Sequence, residues 1–156
     1  ALAGAREQIH GQHRAAIWQV RRDAYAAFLG QIEAVRLGVE NMYGVCTQAI
    51  QISVGAPGEQ PDLMAPRNEL ADKVHTLWER ESVLLLAVSA EEARDAKALM
   101  NIARGAVHYV DQVLDGILND REAPGGLALL SAAMDTLRDA IQEWADSART
   151  SLNALD

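Results

Sequence analysis

Residues 28–49 read FLGQIEAVRLGVENMYGVCTQA, and the spacing of their apolar residues is the strongest indication of the fold. The steps between these positions alternate between four and three residues, from Phe28 through Ile32, Val35, Val39, Met42, Cys46 and Ala49. Side chains at this spacing lie on one face of an α-helix, as in the seam of a helical bundle. The stretch therefore predicts a long amphipathic helix, which we place at about residues 6–53 because no proline occurs there.

Three further segments carry the same periodicity and are joined by helix-breaking residues. Three of the four prolines lie in residues 54–66, which predicts a loop there. Ser89 with Glu92 three residues later forms a capping box, which favours a helix start. The remaining helices are predicted at about 67–87, 90–119 and 127–154, with glycines and a proline breaking the chain before the last one.

The helical pattern extends over the chain, and 156 residues suit a single domain. Short connections between amphipathic helices favour antiparallel neighbours, so we expect an all-α fold: one antiparallel four-helix up-down bundle over residues 1–156. A helix over residues 6–53 is about 72 Å long, whereas one over 67–87 is about 32 Å long. The N-terminal part of the first helix is therefore predicted to project beyond the bundle.

The charge of the chain is uneven. The formal net charge is −8, yet residues 1–22 hold four arginines against one glutamate, a balance of +3 that leaves −11 for the rest. The negative total argues against nucleic acid as a partner, because phosphate contacts need clustered cations. The basic start is either the solvated face of a helix or a patch for an anionic partner, such as a membrane surface near the N-terminus.

The single cysteine, Cys46, has no internal partner for a disulfide, and a reducing compartment such as the cytoplasm fits it best. Its apolar neighbours predict a core residue rather than a nucleophile. No stretch approaches the roughly 20 apolar residues of a membrane helix. The chain opens ALAGA without an initiator methionine, which leaves room for a membrane-tethering segment before Ala1.

Two sets of potential metal ligands occur at helical spacing. One is formed by Glu7, His10 and His13, and the other by Asp72, His75 and Glu79. A metal site in a helical bundle needs matching ligands from facing helices, and the last two helices offer no Glu-x-x-His motif. We therefore predict exposed polar faces at both places, with no metal and no cofactor bound.

A carboxylate interrupts the apolar stripe of the second helix. Glu81 lies between Leu77 and Leu84, and a buried carboxylate has to be paired or protonated. We expect Glu81 to form a core ion pair with an arginine of the first helix; the alternative is a ligand-recognising carboxylate in an internal pocket. His108 borders the stripe of the third helix, where a boundary histidine is the expected role.

Residues 18–29 read WQVRRDAYAAFL and form the most distinctive segment of the chain. This segment resembles a signature of small, uncharacterised helical proteins of actinobacteria, which share an Arg-Arg-x-x-Tyr-x-x-Phe-Leu core and in many members carry a membrane helix just upstream. The resemblance implies a helical architecture and a membrane tether, and it implies no catalytic residue. Helical spacing brings Trp18, Arg22 and Tyr25 near one face, next to Arg21, as an aromatic and guanidinium patch where the first helix enters the bundle. We expect this patch to pack against the other helices; the alternative is that it is offered to a partner.

No phosphate loop, Cys-x-x-Cys pair or nucleophile elbow occurs in the chain, so we expect a protein that is not an enzyme. The favoured function is a helical interaction or scaffold module, the cytoplasmic part of a membrane-tethered bacterial protein, whose partner is another protein or a second copy in a homodimer. One alternative is a sensor that binds a small ligand between its helices near Glu81 and His108. The other alternative is a metal-binding bundle.

Overall fold

The computed structural model of the chain describes residues 2–121 and 125–154, and this part consists of four α-helices. They are α1 (Leu2–Ser53), α2 (Met64–Ala87), α3 (Ala90–Leu118) and α4 (Gly126–Asn153). The described residues contain no β-strand, so the predicted all-α four-helix fold is confirmed. Part of the predicted break before α4, residues 122–124, lies outside the described residues.

Helix boundaries agree with the prediction except at two starts. α1 begins at Leu2 and α2 at Met64, each about one turn earlier than predicted. The earlier start of α2 follows from Asp62, whose Oδ1 accepts hydrogen bonds from the backbone N–H groups of Met64 (2.9 Å) and Ala65 (3.2 Å). Pro66 is thus the third helical residue, inside the first turn, where an N–H has no intrahelical acceptor.

The core forms along the seam of α1 that the apolar spacing predicts. Its seven positions are fully buried: Phe28, Ile32, Val35, Val39, Met42, Cys46 and Ala49. α2 adds buried leucines seven residues apart, at Leu70, Leu77 and Leu84. Aromatic packing closes one end of the core, where the Trp144 ring centroid of α4 lies 5.0 Å from that of Phe28 and 5.4 Å from that of Tyr25.

α1 is the central element and contacts the three other helices, whereas α2 and α3 make few contacts with each other. α1 and the chain that follows it run in opposite directions, because later residues of that chain contact earlier residues of α1. Ala49 O accepts a hydrogen bond from Gln60 (3.3 Å), and Gln31 donates one to Lys73 O (2.9 Å). α3 and α4 pack on each other and on α1. The bundle is therefore open on the side between α2 and α3.

The first part of α1 extends beyond the other helices. We define the projecting segment as residues 2–20, in which every side chain is exposed except that of Trp18. α1 has 52 residues and is about 78 Å long, against about 36 Å for the 24 residues of α2. The predicted projection is confirmed, and the apolar stripe continues into it uncovered, since Ile17 and Val20 are 52% and 62% exposed.

Replacing either of two glycines of α1 by alanine is expected to change the stability of the fold, with opposite signs at the two positions. An added Cβ at Gly30 meets no atom of the described residues within 4 Å, so Gly30→Ala is expected to raise the free energy of unfolding by about 0.5–1 kcal/mol through the better helix propensity of alanine. At Gly38 an added Cβ would lie 2.9 Å from Cδ1 of the buried Leu70, which is too close for both groups to keep their positions. Gly38→Ala is therefore expected to lower the free energy of unfolding by about 1 kcal/mol. Urea unfolding of the two variants measures both signs. Equal stabilisation by both changes would contradict the close approach of α1 and α2.

Candidate functional site

A polar network ties three helices together at the end of the bundle from which the projecting segment emerges. The Arg21 guanidinium on α1 donates to both carboxylate oxygens of Glu92 on α3 (2.5 and 2.6 Å) and to Ser151 Oγ on α4 (3.3 Å). The same carboxylate accepts hydrogen bonds from the Tyr25 hydroxyl and from Ser89 Oγ. We call these five residues the Glu92 network.

Ser89 also caps α3, because its Oγ accepts a hydrogen bond from the backbone N–H of Glu92 (3.3 Å), as predicted. The second role of Glu92 was not predicted. In a capping box its carboxylate would turn back to the N–H of Ser89. Here the carboxylate pairs with Arg21, which lies 71 residues away in the chain, and no short-range pattern signals such a pairing.

The charges of the Glu92 network stabilise the contact between the helices that it joins. Partial burial alone would raise the pKa of Glu92, but the hydrogen bonds from Tyr25, Ser89 and Arg21 outweigh it and hold that pKa below its usual range. Burial raises the pKa of Tyr25, and the neighbouring Glu92 carboxylate raises it further. At neutral pH the network therefore joins a charged carboxylate to a charged guanidinium and a neutral phenol, a set of charge-assisted hydrogen bonds that holds the helix ends in place.

The four predicted motif residues form two pairs: one belongs to the Glu92 network, and the other lies where the projecting segment joins the bundle. Arg21 and Tyr25 belong to the Glu92 network, and Tyr25 is buried. Trp18 is half-buried, and Cζ of the exposed Arg22 lies 5.2 Å from its ring centroid. The expected guanidinium–aromatic contact thus forms between Arg22 and Trp18, while Tyr25 packs on Trp144. An interaction role for the four residues stays a prediction.

Glu81 does not form the core ion pair that the sequence predicts. It is half-buried, and the described residues contain no buried charged side chain. Within that part of the chain, no arginine of α1 pairs with Glu81, and Arg21 pairs with Glu92 instead. The reason is that α2 buries only a narrow seam, in which Leu77 and Leu84 flank Glu81, and its few contacts with α3 leave the flank open to water. The prediction of a buried ion pair at Glu81 is therefore wrong.

The opening between α2 and α3 is a cleft of about 210 Å³, which we call the α2–α3 cleft. Its lining is mostly apolar and includes Trp78, whose side chain is 51% exposed. His108 is exposed at its rim, with Nε2 2.9 Å from the side-chain nitrogen of Gln112. Glu81 does not line this cleft, so the structure does not bring Glu81 and His108 together in one pocket.

A second depression runs along the outer surface between α3 and α4. Two hollows of about 280 and about 300 Å³ share Ile102 and form what we call the α3–α4 groove. Small side chains of both helices keep it open: Ala98, Gly105, Ala132, Ala133 and Ala140. Its charged lining residues are Asp95 and Glu143, and neither has an ion-pair partner within residues 2–121 and 125–154.

The two predicted sets of potential metal ligands lie on the surface. His75 and Glu79 form an exposed pair (3.4 Å), and His10 and His13 lie on the projecting segment. Across the described residues, no three His, Cys, Asp or Glu side chains come together as a metal site.

Cys46 is fully buried, and burial raises the pKa of its thiol to about 11, so it is a protonated core residue at neutral pH.

None of the described helices carries an apolar run long enough to cross a membrane. The similarity of residues 18–29 to actinobacterial proteins stays a prediction. Comparison of the chain with protein-family models, with curated proteins and with solved structures found no match, so the surfaces of the bundle are what points to a function.

Proposed function

We propose that the chain is a non-enzymatic helical interaction module, which binds a second copy of itself through the projecting segment. The observation that carries this proposal is a helix of 19 residues almost without tertiary cover. The segment continues a packed helix, so it needs no nucleation of its own. Its side chains nevertheless gain little from packing within the chain, and helices in proteins gain most of their stability by burying an apolar face.

The projecting segment has one apolar and basic face. At 3.6 residues per turn, its exposed large apolar side chains fall within an arc of about 80° around the helix axis: Leu2, Ile9, Ile17 and Val20. Arg6 and His13 lie in the same arc, whereas the acidic residue of the segment, Glu7, lies outside it. Ala24, the first buried position described in α1, is in line with this arc. The apolar stripe that is buried in the core further along α1 thus continues into the projecting segment, where its side chains are exposed.

The acidic body of a second copy is the complementary surface. Beyond residues 1–22 the chain carries a charge of −11, whereas two projecting segments facing each other would bring arginines together. The α3–α4 groove offers apolar lining residues such as Leu99 and Ile102, and its charged residues are both carboxylates. The α2–α3 cleft instead has Arg104 at its rim. Charge therefore favours the α3–α4 groove as the docking surface.

The groove is long enough to take most of the projecting segment. The 19 residues of the segment span about 28 Å. The groove includes Asp95, about one turn beyond Glu92 at the end where the segment emerges, and it extends along α3 to Tyr109, about 21 Å further. Two chains placed end to end around a two-fold axis can therefore exchange segments, so that each segment covers the groove of the other chain.

Sedimentation equilibrium of the purified chain tests the proposal, and we expect a dimer. The segment variant, Arg6→Glu with His13→Glu, and the groove variant, Asp95→Lys with Glu143→Lys, are each expected to weaken dimerisation by about tenfold or more, because each places like charges across the contact. Combining the four substitutions restores opposite charges and should restore the dimer.

The matched control is Glu69→Lys with Asp72→Lys, which reverses two exposed carboxylates of α2 outside the groove and should leave dimerisation unchanged. Circular dichroism checks that every variant is folded. A chain that stays monomeric at high concentration would overturn self-association. If that monomer instead sediments with vesicles containing anionic lipid, and the segment variant does not, the segment binds a membrane surface. A groove variant that dimerises like the parent chain would exclude the α3–α4 groove as the contact.

The proposal includes a location on the cytoplasmic face of the cell membrane. In the proteins that residues 18–29 resemble, a membrane helix lies just upstream, and arginines that follow such a helix are retained on the cytoplasmic side. The free cysteine, Cys46, suits that reducing compartment. A tether before Ala1 would hold the dimer with its long axis along the membrane, since the two segments would point in opposite directions.

A further inference from the structure

The α2–α3 cleft exists because α2 and α3 both pack on α1 but hardly touch each other. Its lining includes Val35 of α1, Leu77 of α2, and Met100 and Val107 of α3. Trp78 also lines it, with half of its side chain exposed. The cleft thus presents an aromatic ring and an apolar hollow to solvent, a combination typical of small-molecule sites.

Three polar residues line the cleft, and one of them brings a charge that is not neutralised. Asp111 accepts two hydrogen bonds from Arg67 (2.6 and 3.0 Å). His108 is hydrogen-bonded along its own helix. Arg104 stacks over Trp78, with Cζ 4.8 Å from the ring centroid, and has no carboxylate partner within the described chain. The cleft is therefore apolar inside and positively charged at Arg104.

Size limits a ligand of this cleft to about one ring. An apolar cavity of about 150 Å³ accommodates benzene. The α2–α3 cleft measures about 210 Å³, which leaves room for a short substituent. A guanidinium favours a planar carboxylate, because the two groups form parallel hydrogen bonds. We propose that the α2–α3 cleft binds a small aryl carboxylate, with its ring between Trp78 and the apolar walls and its carboxylate on Arg104.

The experiment follows the indole N–H signals of the three tryptophans in nitrogen–proton correlation spectra while phenylacetate is added. The Trp78 signal, identified by its loss in Trp78→Phe, is expected to move until it saturates, whereas those of Trp18 and Trp144 stay in place. Phenylacetamide, the neutral isostere, is expected to bind about tenfold more weakly, because it lacks the charge that Arg104 recognises. Arg104→Gln is expected to abolish this preference.

The matched control is Arg94→Gln, which neutralises an exposed arginine of α3 that does not line the cleft and should keep the preference of the parent chain. The spectra themselves report whether each variant is folded. No movement at Trp78 up to the solubility limit of phenylacetate would overturn the site. Equal binding of the acid and the amide, or an equal loss in Arg94→Gln, would overturn recognition by Arg104. None of these outcomes bears on dimerisation, which sedimentation measures separately.

Discussion

Phe28→Ala is expected to lower the free energy of unfolding by about 3–5 kcal/mol. The Phe28 side chain is completely buried and meets the Trp144 ring edge to face, at 5.0 Å between centroids. Truncation removes buried apolar area and an aromatic contact and leaves a cavity. Because a domain of this kind is stable by only about 5–15 kcal/mol, equilibrium unfolding in urea should show a large shift of the midpoint.

Leu37→Ala is the matched control for this prediction, since Leu37 lies on the same helix but is 52% exposed. It is expected to change the free energy of unfolding by no more than about 0.5 kcal/mol. A loss below about 1 kcal/mol for Phe28→Ala would mean that the aromatic cluster at this end of the bundle contributes little to stability.

Glu92→Gln is expected to lower the free energy of unfolding by about 1–3 kcal/mol at neutral pH. The substitution keeps the shape of the side chain but removes the charge that accepts hydrogen bonds from Arg21 and Tyr25. The Arg21 side chain is only 17% exposed, so its guanidinium would be left without a counter-ion in a partly buried position. Urea unfolding at neutral pH measures this loss.

The effect of Glu92→Gln should also depend on pH, with a definite sign. Partial burial would raise the pKa of Glu92, but the hydrogen bonds it accepts outweigh burial and lower that pKa below the ordinary value of 4.5. As the pH falls through this range, the unfolded chain binds more protons than the folded chain, and the stabilisation by Glu92 is lost. The difference between the parent chain and Glu92→Gln is therefore expected to shrink in acid.

Urea unfolding at neutral and at acidic pH measures this convergence. Glu69→Gln is the matched control, because Glu69 is an exposed carboxylate of α2, and its difference from the parent chain should stay small at every pH. A difference for Glu92→Gln that does not change with pH would show that the Glu92 carboxylate gains no special stabilisation in the folded chain.

The Glu92 network could be predicted from the sequence only in part. The patch of Arg21 and Tyr25 was predicted from spacing along α1, and the cap formed by Ser89 from its spacing to Glu92. Both are local signals, since the residues of each set lie within one or two turns. Their meeting depends on how α1 and α3 are rotated about their axes, and that rotation is set by core packing.

At Glu81 the local pattern of the sequence led to a wrong prediction of burial. Its position between Leu77 and Leu84 predicts burial only if α2 is covered from both sides of its leucine seam. Because α2 packs mainly on α1 and touches α3 little, the flank with Glu81 keeps its access to water. The number and closeness of neighbouring helices decided this outcome, and the stripe of α2 carries no information about either.

The four helices, their order and the projection of residues 2–20 follow from local patterns of the chain. These patterns are informative because apolar periodicity, caps and proline or glycine breaks act over one or two turns of chain. Tertiary packing, by contrast, sets α2 and α3 apart to form a cleft, places Asp95 and Glu143 in a groove that no cation of the described residues lines, and pairs Glu92 with Arg21. The physical reason is that distances and rotations between helices follow from side chains packing across segments far apart in the chain, a balance that no local pattern records.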